Sequence, residues 1–250
     1  MMTDFANRRT AFHALHQSGC FILPNPWDVG SAVRLARLGF TALASSSSAA
    51  AWTLGLLDHE ISLDQTIAHL TMLCKATDLP VNADFENGFA DTPEDVAANV
   101  VRAISTGIAG LSIEDQKGDG LYPLRLAVER IAAARTAIDA SGANVMLVAR
   151  TESYLVGETD PKIAIDRLMA FADAGADCLF APGITDIADI AAMVRAVAPK
   201  PVNVLLMNAG MKVADLAGVG VRRISTGGAL AAAAWRGFDK AAAELAAQIG

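Results

Sequence analysis

The sequence has few of the features that mark disulfide-stabilised, nucleic-acid-binding or membrane-spanning proteins. Its three cysteines lack C-x-x-C spacing, so neither a disulfide framework nor a cysteine-based zinc site is expected. The net charge is −7 and no cluster of Lys and Arg offers a phosphate-binding stripe, which argues against nucleic acid as a partner. No stretch reaches the roughly 18 consecutive apolar residues of a membrane span. Because no secretory signal is visible either, we expect a cytoplasmic protein without a membrane partner.

Apolar residues are abundant, in contrast. Of the 250 residues 53% are hydrophobic and only 19% are charged, which is enough apolar material to fill a large core and excludes intrinsic disorder. No Pro-, Ser- or Gly-rich linker divides the chain. We therefore expect residues 1–250 to form a single domain.

Short apolar runs alternate with longer amphipathic stretches along the whole chain. Strands are predicted at 20–23, 41–44, 80–83, 110–113, 144–149, 178–181, 202–205 and 221–224. Helices are predicted at 30–38, 63–76, 93–105, 124–140, 161–174, 187–197, 212–217 and 228–248. Eight such pairs, spaced by about the 30 residues of a βα unit, predict an α/β fold of the (β/α)8 TIM-barrel type. A doubly wound sheet is the alternative, but no G-x-G-x-x-G follows the first strand.

Two of the predicted strands end in carboxylates. Asp84 and Glu86 follow the third strand, and Glu114 follows the fourth. The carboxyl ends of barrel strands form the active site, and three acids cannot crowd there unneutralised. Mg2+ (or Mn2+), held by carboxylates and bridging waters, meets this requirement. The four histidines are predicted on the surface, away from these acids, so zinc is not expected.

Arg150 ends the fifth predicted strand at the same face of the barrel. Its guanidinium is either a structural partner of the acids or a clamp for a substrate carboxylate, which its planar fork fits. The run Ser45–Ser48 is either a polar turn or a set of hydroxyl and N–H groups facing an anion. A metal, an arginine and such a cradle together suit a 2-oxo acid as substrate.

Several of these segments resemble one known family. They are Asn25-Pro26-Trp27-Asp28-Val29-Gly30-Ser31-Ala32, Leu54-Gly55-Leu56-Leu57-Asp58, Asp84-Phe85-Glu86-Asn87-Gly88-Phe89, Ile113-Glu114-Asp115-Gln116, Ala149-Arg150-Thr151-Glu152, Ala174-Gly175-Ala176-Asp177 and Arg222-Arg223-Ile224-Ser225-Thr226-Gly227-Gly228. In order and spacing they resemble the isocitrate lyase/phosphoenolpyruvate mutase superfamily, in its short mutase-like branch.

The resemblance implies a metal site and a chemistry. Asp84 is the expected direct Mg2+ ligand, with Glu86, Glu114 and Asp58 holding its waters; Asp58 is suggested by the resemblance alone. Family members break or make C–C or C–P bonds beside a 2-oxo acid through a metal-bound enolate. The predicted catalytic residues are Arg150 and Glu114, and the predicted substrate-binding residues are Ser45, Ser46, Trp27, Asp28, Arg150 and Asn203.

The segment after the fourth strand departs from the family pattern. The C–C lyases carry a gating loop with a Lys-Lys-Cys-Gly-His motif, whereas residues 116–123 here are short and contain neither Cys nor His. Three functions therefore stay open. The first is a Mg2+-dependent lyase or decarboxylase that cleaves a C–C bond beside a 2-oxo acid. The others are a C–P hydrolase or phosphonomutase acting on phosphonopyruvate-like substrates, and a non-catalytic binder of 2-oxo acids.

The last predicted helix carries Trp235 and Phe238 on one face. It is either an ordinary barrel helix or a helix that packs on a neighbouring subunit. Because members of the family usually form tetramers in which dimers exchange a C-terminal helix, the resemblance implies a homodimer or homotetramer.

Overall fold

A ring of eight parallel strands forms the centre of the molecule. The computed structural model describes residues 5–249. The ring follows the order β1-β10-β9-β8-β7-β4-β3-β2, and the backbone N–H of Ala44 donates to the carbonyl of Pro24 (3.0 Å), which joins its two ends. The strands are β1 (Phe21–Leu23), β2 (Leu43–Ala44), β3 (Val81–Asp84), β4 (Gly110–Glu114), β7 (Met146–Arg150), β8 (Cys178–Phe180), β9 (Val202–Leu205) and β10 (Arg223–Ser225). This nearly closed barrel confirms the predicted fold class.

Helices surround the ring. They are α1 (Phe5–Leu15), α2 (Val29–Arg37), α3 (Ser47–Thr53), α4 (Leu63–Ala76), α5 (Pro93–Ser105), α6 (Leu124–Ser141), α7 (Pro161–Asp173), α8 (Ile187–Ala196), α9 (Val213–Gly218) and α10 (Ala229–Ala246). Side-chain caps begin several of these helices. Thr92 accepts from the backbone N–H of Asp95 (3.2 Å) at the start of α5, where Pro93 occupies the first turn.

Three elements were missing from the sequence prediction. Helices α1 and α3 were not foreseen, and a small antiparallel hairpin, β5 (Gln116–Lys117) and β6 (Gly120–Leu121), follows β4. The hairpin lies within residues 116–123, the short segment after the fourth predicted strand. Its two-residue strands lie below the length at which an alternating pattern becomes readable.

Helix α1 closes the amino-terminal end of the barrel. Phe12 is fully buried and belongs to an apolar cluster inside the ring, with Leu23, Met146, Val148 and Phe180 among its members. The larger apolar cluster lies between the ring and the surrounding helices. The interior cluster is thus packed from below by α1, at the end of the ring opposite the carboxyl ends of the strands.

Helix α10 leaves most of its surface uncovered. Ala231 is its one buried residue, whereas Phe238 is 63% exposed and Leu245 is 65% exposed. The rings of Trp235 and Phe238 meet edge to face, with centroids 5.9 Å apart. Of the two alternatives for this helix, an ordinary barrel helix buried against the ring does not match this exposure. No helix within residues 5–249 has the length and apolar character needed to cross a bilayer.

Candidate active site

A cavity of about 360 Å³ opens at the carboxyl ends of the strands. It is the place where barrel enzymes carry their chemistry. The predicted site residues that line it are Ser45, Ser46, Asp58, Asp84, Glu114 and Arg150. Glu86 lines an adjoining cavity, which shares His59, Glu114 and Gln116 with the first. The fold thus brings together the predicted metal residues and part of the predicted substrate-binding set.

Asp84 is held in place by the turn that follows β2. Its Oδ2 accepts from both the backbone N–H and the hydroxyl of Ser47 (3.0 Å each), and its own N–H donates to Ser45 Oγ (2.8 Å). Ser46 caps α3, accepting from the N–H of Ala49 (3.3 Å). The serine run therefore orients a carboxylate as well as lining the cavity, and Ser47, predicted as part of the run Ser45–Ser48, directs its N–H and hydroxyl to Asp84.

Glu86 and Glu114 are buried and keep one oxygen each without a partner. Glu114 is 3% exposed and Glu86 is 5% exposed. Among the described residues, no hydrogen-bond donor reaches Glu86 Oε1 or Glu114 Oε2. Burial raises the pKa of Glu86 and raises that of Glu114 well above its usual range. Two desolvated carboxylate oxygens without a donor, on residues that line these cavities, fit the oxygen-rich coordination of a hard divalent cation.

Arg150 is surrounded by carboxylates. Its Nη1 lies 2.8 Å from Glu114 Oε1 and 3.4 Å from Asp84 Oδ1, and its Nε and Nη2 form a bidentate pair with Glu152. Burial alone lowers the pKa of Arg150, but Glu114, Glu152 and Asp84 outweigh it and raise that pKa above the usual value. These are the contacts of a structural partner of the acids, the first of the two alternatives predicted for this residue.

Asp115 and Arg167 form a second group of charged residues, which contacts the backbone of Glu152. Asp115 accepts from the backbone N–H of Glu152 (2.8 Å) and from Arg167 Nε (2.6 Å). Arg167 also donates to the carbonyl of Tyr122 (2.8 Å), where the hairpin returns to α6. Asp115 is 2% exposed, so its charge is neutralised by Arg167 and it serves the framework of the site.

The prediction that no histidine lies near the acids is wrong. His59 lines the cavity, with Nδ1 3.8 Å from Glu86 Oε2, and its ligand atom lies within 4.8 Å of those of Asp58 and Glu86. The neighbouring Glu86 carboxylate raises the pKa of His59, against the effect of burial. Both His59 and Asp58 belong to an irregular segment between α3 and α4, which no periodic pattern could place over the barrel mouth.

His16 also departs from its predicted surface position. It is 6% exposed, at the amino-terminal end of the barrel between the rings of Phe12 and Phe21 (centroids 4.8 and 5.0 Å away). Burial lowers the pKa of His16 to about 3. A neutral ring donating to the carbonyl of Phe12 (2.8 Å) is consistent with this apolar surrounding.

Three residues predicted to bind substrate lie outside the cavity lining. Asp28 accepts from the N–H of Ser31 (2.6 Å) and so caps α2, and the carbonyl of Trp27 contacts His69 Nε2 (3.0 Å). Asn203 is fully buried in the wall of the barrel, where its Nδ2 donates to Ser225 Oγ (3.0 Å). Asp28 follows a strand and begins a helix, and the residue types that cap helices are also the types found in binding loops. The sequence could therefore not distinguish a helix cap from a substrate-binding residue at this position.

Several polar residues that the prediction omitted do line the cavity. Asn82 and Ser112 stand two positions before Asp84 and Glu114 and therefore share their inward face. Arg223, at the start of β10, lines the cavity as well. The period of two along β3 and β4 was the available signal for Asn82 and Ser112.

Comparisons with known proteins agree with this site. The phosphoenolpyruvate phosphomutase family model matches residues 12–246. A solved structure of a lyase/mutase candidate from Burkholderia cenocepacia is 46% identical, with 96% of this chain and 88% of that chain covered and a TM-score of 0.93. An uncharacterized protein of Mycobacterium tuberculosis is 36% identical, covering 87% of this chain and 81% of its own.

A further relative has a named reaction. The oxaloacetate decarboxylase of Chromohalobacter salexigens is 31% identical, with 88% of this chain and 78% of the relative covered. Its name describes cleavage of a carbon–carbon bond, and it supports the predicted enzyme class, a carbon–carbon lyase. Because the family model spans almost the whole barrel, including every strand that carries a site acid, the chain belongs to the isocitrate lyase/phosphoenolpyruvate mutase superfamily.

Proposed function

We propose that the protein is a Mg2+-dependent (or Mn2+-dependent) lyase or decarboxylase that cleaves a C–C bond beside a 2-oxo acid. The observation that carries this proposal is the gathering of Asp84, Glu86 and Glu114 at two adjoining cavities that share Glu114, where one buried oxygen each of Glu86 and Glu114 lacks a hydrogen-bond donor among the described residues. The relationship to an oxaloacetate decarboxylase supports the same type of reaction.

Four acids would hold the cation. Asp84 is the proposed direct ligand, and Glu86, Glu114 and Asp58 would hold its water molecules. When bound, the cation polarises the oxo and carboxylate oxygens of the acid and stabilises the negative charge that develops when the C–C bond breaks. Asp84 is fixed for this role by Ser47, which leaves Oδ1 directed toward Arg150 (3.4 Å).

Arg150 is the cation that Asp84, Glu114 and Glu152 share. With Glu114 and Glu152 both nearly unexposed, their charges need a buried cation, and Arg150 contacts both. Ser45 and Ser46 line the same cavity, and we propose that the substrate carboxylate and oxo group bind there. In decarboxylation of a 3-carboxy-2-oxo acid, the bond to the leaving carboxylate breaks and its electron pair stays on the remaining acid as an enolate. A proton from solvent then completes the 2-oxo acid product.

The hairpin supplies no proton donor to the cavity. Tyr122 and Lys117 both bind Asp91, through a 2.5 Å hydrogen bond and a 2.6 Å ion pair. Gln116 is the hairpin residue that lines the cavity. A reaction that ends in protonation by solvent matches this arrangement better than one that needs an acid on a closing loop.

Turnover of small acids tests the proposal. The purified protein with Mg2+ is incubated with oxaloacetate and 2-methylisocitrate, and the pyruvate released from either compound is followed in a coupled assay, with Asp84→Asn as the inactive control. We expect turnover of oxaloacetate or 2-methylisocitrate that requires both Mg2+ and Asp84. Phosphate release from phosphonopyruvate, without turnover of oxaloacetate or 2-methylisocitrate, would instead identify cleavage of a C–P bond. Saturable binding without turnover of any compound would identify a non-catalytic binder.

Helix α10 supports the proposal of a homodimer or homotetramer. Its exposed Trp235, Phe238 and Leu245 lie on one apolar face of the helix. A second copy of the chain, as the family resemblance implies, is the proposed partner of this face. Light scattering of the purified protein should give two or four chains per particle, and Phe238→Glu should lower that number; a monomeric wild type would refute the proposal.

A further inference from the structure

Arg223 is a buried cation at the inner end of the cavity. It is 2% exposed and lines the cavity from the first position of β10. Its hydrogen-bond partners are two neutral amide oxygens: Nε donates to Asn203 Oδ1 (2.9 Å), and Nη1 donates to Asn82 Oδ1 (3.3 Å). The guanidinium is therefore oriented by its neighbours but keeps its charge.

No carboxylate within residues 5–249 forms an ion pair with Arg223. The contrast with Arg150 is direct, because that arginine contacts Asp84, Glu114 and Glu152. A buried charge without a counter-charge is unfavourable by several kcal/mol. Burial accordingly lowers the pKa of Arg223. Of the two arginines that line the cavity, Arg223 is the one whose charge is available to an anion.

The depth of Arg223 relative to the acids follows from the strand register. Asn82, which Arg223 contacts, precedes Asp84 by two residues on the same face of β3, which corresponds to roughly 6.6 Å along the strand. The cavity lining includes both of these β3 residues as well as Arg223. A ligand held at Asp84 thus has a positively charged group about one strand repeat below it.

We propose that Arg223, positioned by Asn82 and Asn203, forms a subsite for a second anionic group of the substrate. The inference rests on the proposed function for the first end of the ligand, the 2-oxo acid group near Asp84. The substrate class is then a 2-oxo acid that carries a further acid group. A carboxylate fits the planar guanidinium fork, and a phosphonate offers the same anionic oxygens.

Matched ligand pairs test this subsite without requiring turnover. Malate is compared with 2-hydroxybutyrate, and 2-oxoglutarate with 2-oxovalerate, because the members of each pair have equal carbon number and differ in the second carboxylate. Dissociation constants are measured by calorimetry, with Mg2+ and with a chelator, and the pair with the larger ratio is used. We expect the wild type to prefer the diacid by about ten- to hundredfold, as charge-assisted hydrogen bonds give.

Substitutions at Arg223 should remove this preference selectively. In Arg223→Met the dissociation constants of the diacid and the monoacid should differ by no more than about twofold, while binding of the monoacid is kept. Arg223→Lys keeps the charge but loses the planar fork, so its preference for the diacid should lie between those of the wild type and Arg223→Met. Arg222→Met is the matched control, because Arg222 donates to the carbonyl of Gly19 and is absent from the cavity lining. If Arg223→Met does not fold, Arg223→Lys decides the question through a several-fold loss of the preference.

The outcomes separate the subsite from the proposed reaction. A wild type with equal affinity for both members of each pair, or a variant that weakens both members equally, would overturn the subsite even if the protein is an active lyase. A diacid preference that depends on Arg223 without turnover would retain the subsite and refute the lyase. Phosphonopyruvate serves as the second arm: a larger loss of its binding than of diacid binding in Arg223→Met would assign the second group as a phosphonate.

Discussion

Replacing Arg150 by methionine should destabilise the protein strongly when no divalent cation is present. The substitution keeps much of the side-chain volume but leaves Asp84, Glu114 and Glu152 without their shared cation. Breaking a buried ion pair on one side costs about 3–5 kcal/mol. For a chain of this size each kcal/mol lowers Tm by roughly 2–4 °C, so the expected loss is about 6–20 °C.

The loss should depend on pH and on Mg2+ in a defined direction. Burial raises the pKa of Glu114 and of Glu152, and without Arg150 both pKa values rise further. At pH 5.5 protonation relieves part of the repulsion, so the difference from wild type is smaller than at pH 8. Added Mg2+ supplies the missing positive charge and should raise the Tm of Arg150→Met more than that of the wild type.

Thermal unfolding with a chelator, at both pH values, measures these effects. Arg102→Met is the control, because Arg102 pairs with Asp64 on the surface and such pairs contribute about 0–1 kcal/mol. The reasoning is refuted if Arg150→Met unfolds within about 2 °C of the wild type at pH 8, or if its loss is as large at pH 5.5.

Two further predictions concern the interior of the barrel. Burial lowers the pKa of His16 to about 3. The contribution of the neutral ring to the free energy of unfolding is therefore fully present above pH 6.5 and is lost as the pH falls toward 3. In chemical denaturation the free energy of unfolding of the wild type should fall by about 2–3 kcal/mol from this cause between pH 6.5 and 4.5. The free energy of unfolding of His16→Gln should depend less steeply on pH. Gly110→Ala places a Cβ 2.7 Å from Asn82 Oδ1 and should cost about 1–3 kcal/mol in the same assay. Gly120→Ala, with open space around it, should change stability by less than about 0.5 kcal/mol; equal effects of the two alanines would contradict the packing argument.

The sequence predicted the barrel because its local signals agree with one another. The apolar runs have strand length, the helices between them carry caps, and Asp84 and Glu114 stand at the ends of strands that become neighbours in the ring. Parallel pairing alone then brings the acids together. The tenth strand shows the limit of this reading, since it was predicted at 221–224 and lies at Arg223–Ser225.

What could not be read from the sequence depends on contacts between distant segments. His59 reaches Glu86 through an irregular segment without periodicity, and Asp28 has the same residue type whether it caps a helix or binds a ligand. The partners of Arg150 and Arg223 were equally invisible. Both are arginines on barrel strands, and only the structure distinguishes the one surrounded by acids from the one that contacts amides.

Titration of the metal-free protein with Mg2+ tests the central claim most directly. By calorimetry the wild type should bind one ion per chain, and Asp84→Asn should bind none at the same concentrations, because the proposed direct ligand loses its charge. Asp28→Asn is the matched control, since asparagine also caps helices and Asp28 lies outside the cavity lining; it should bind Mg2+ as the wild type does. Unchanged Mg2+ affinity in Asp84→Asn would contradict the site.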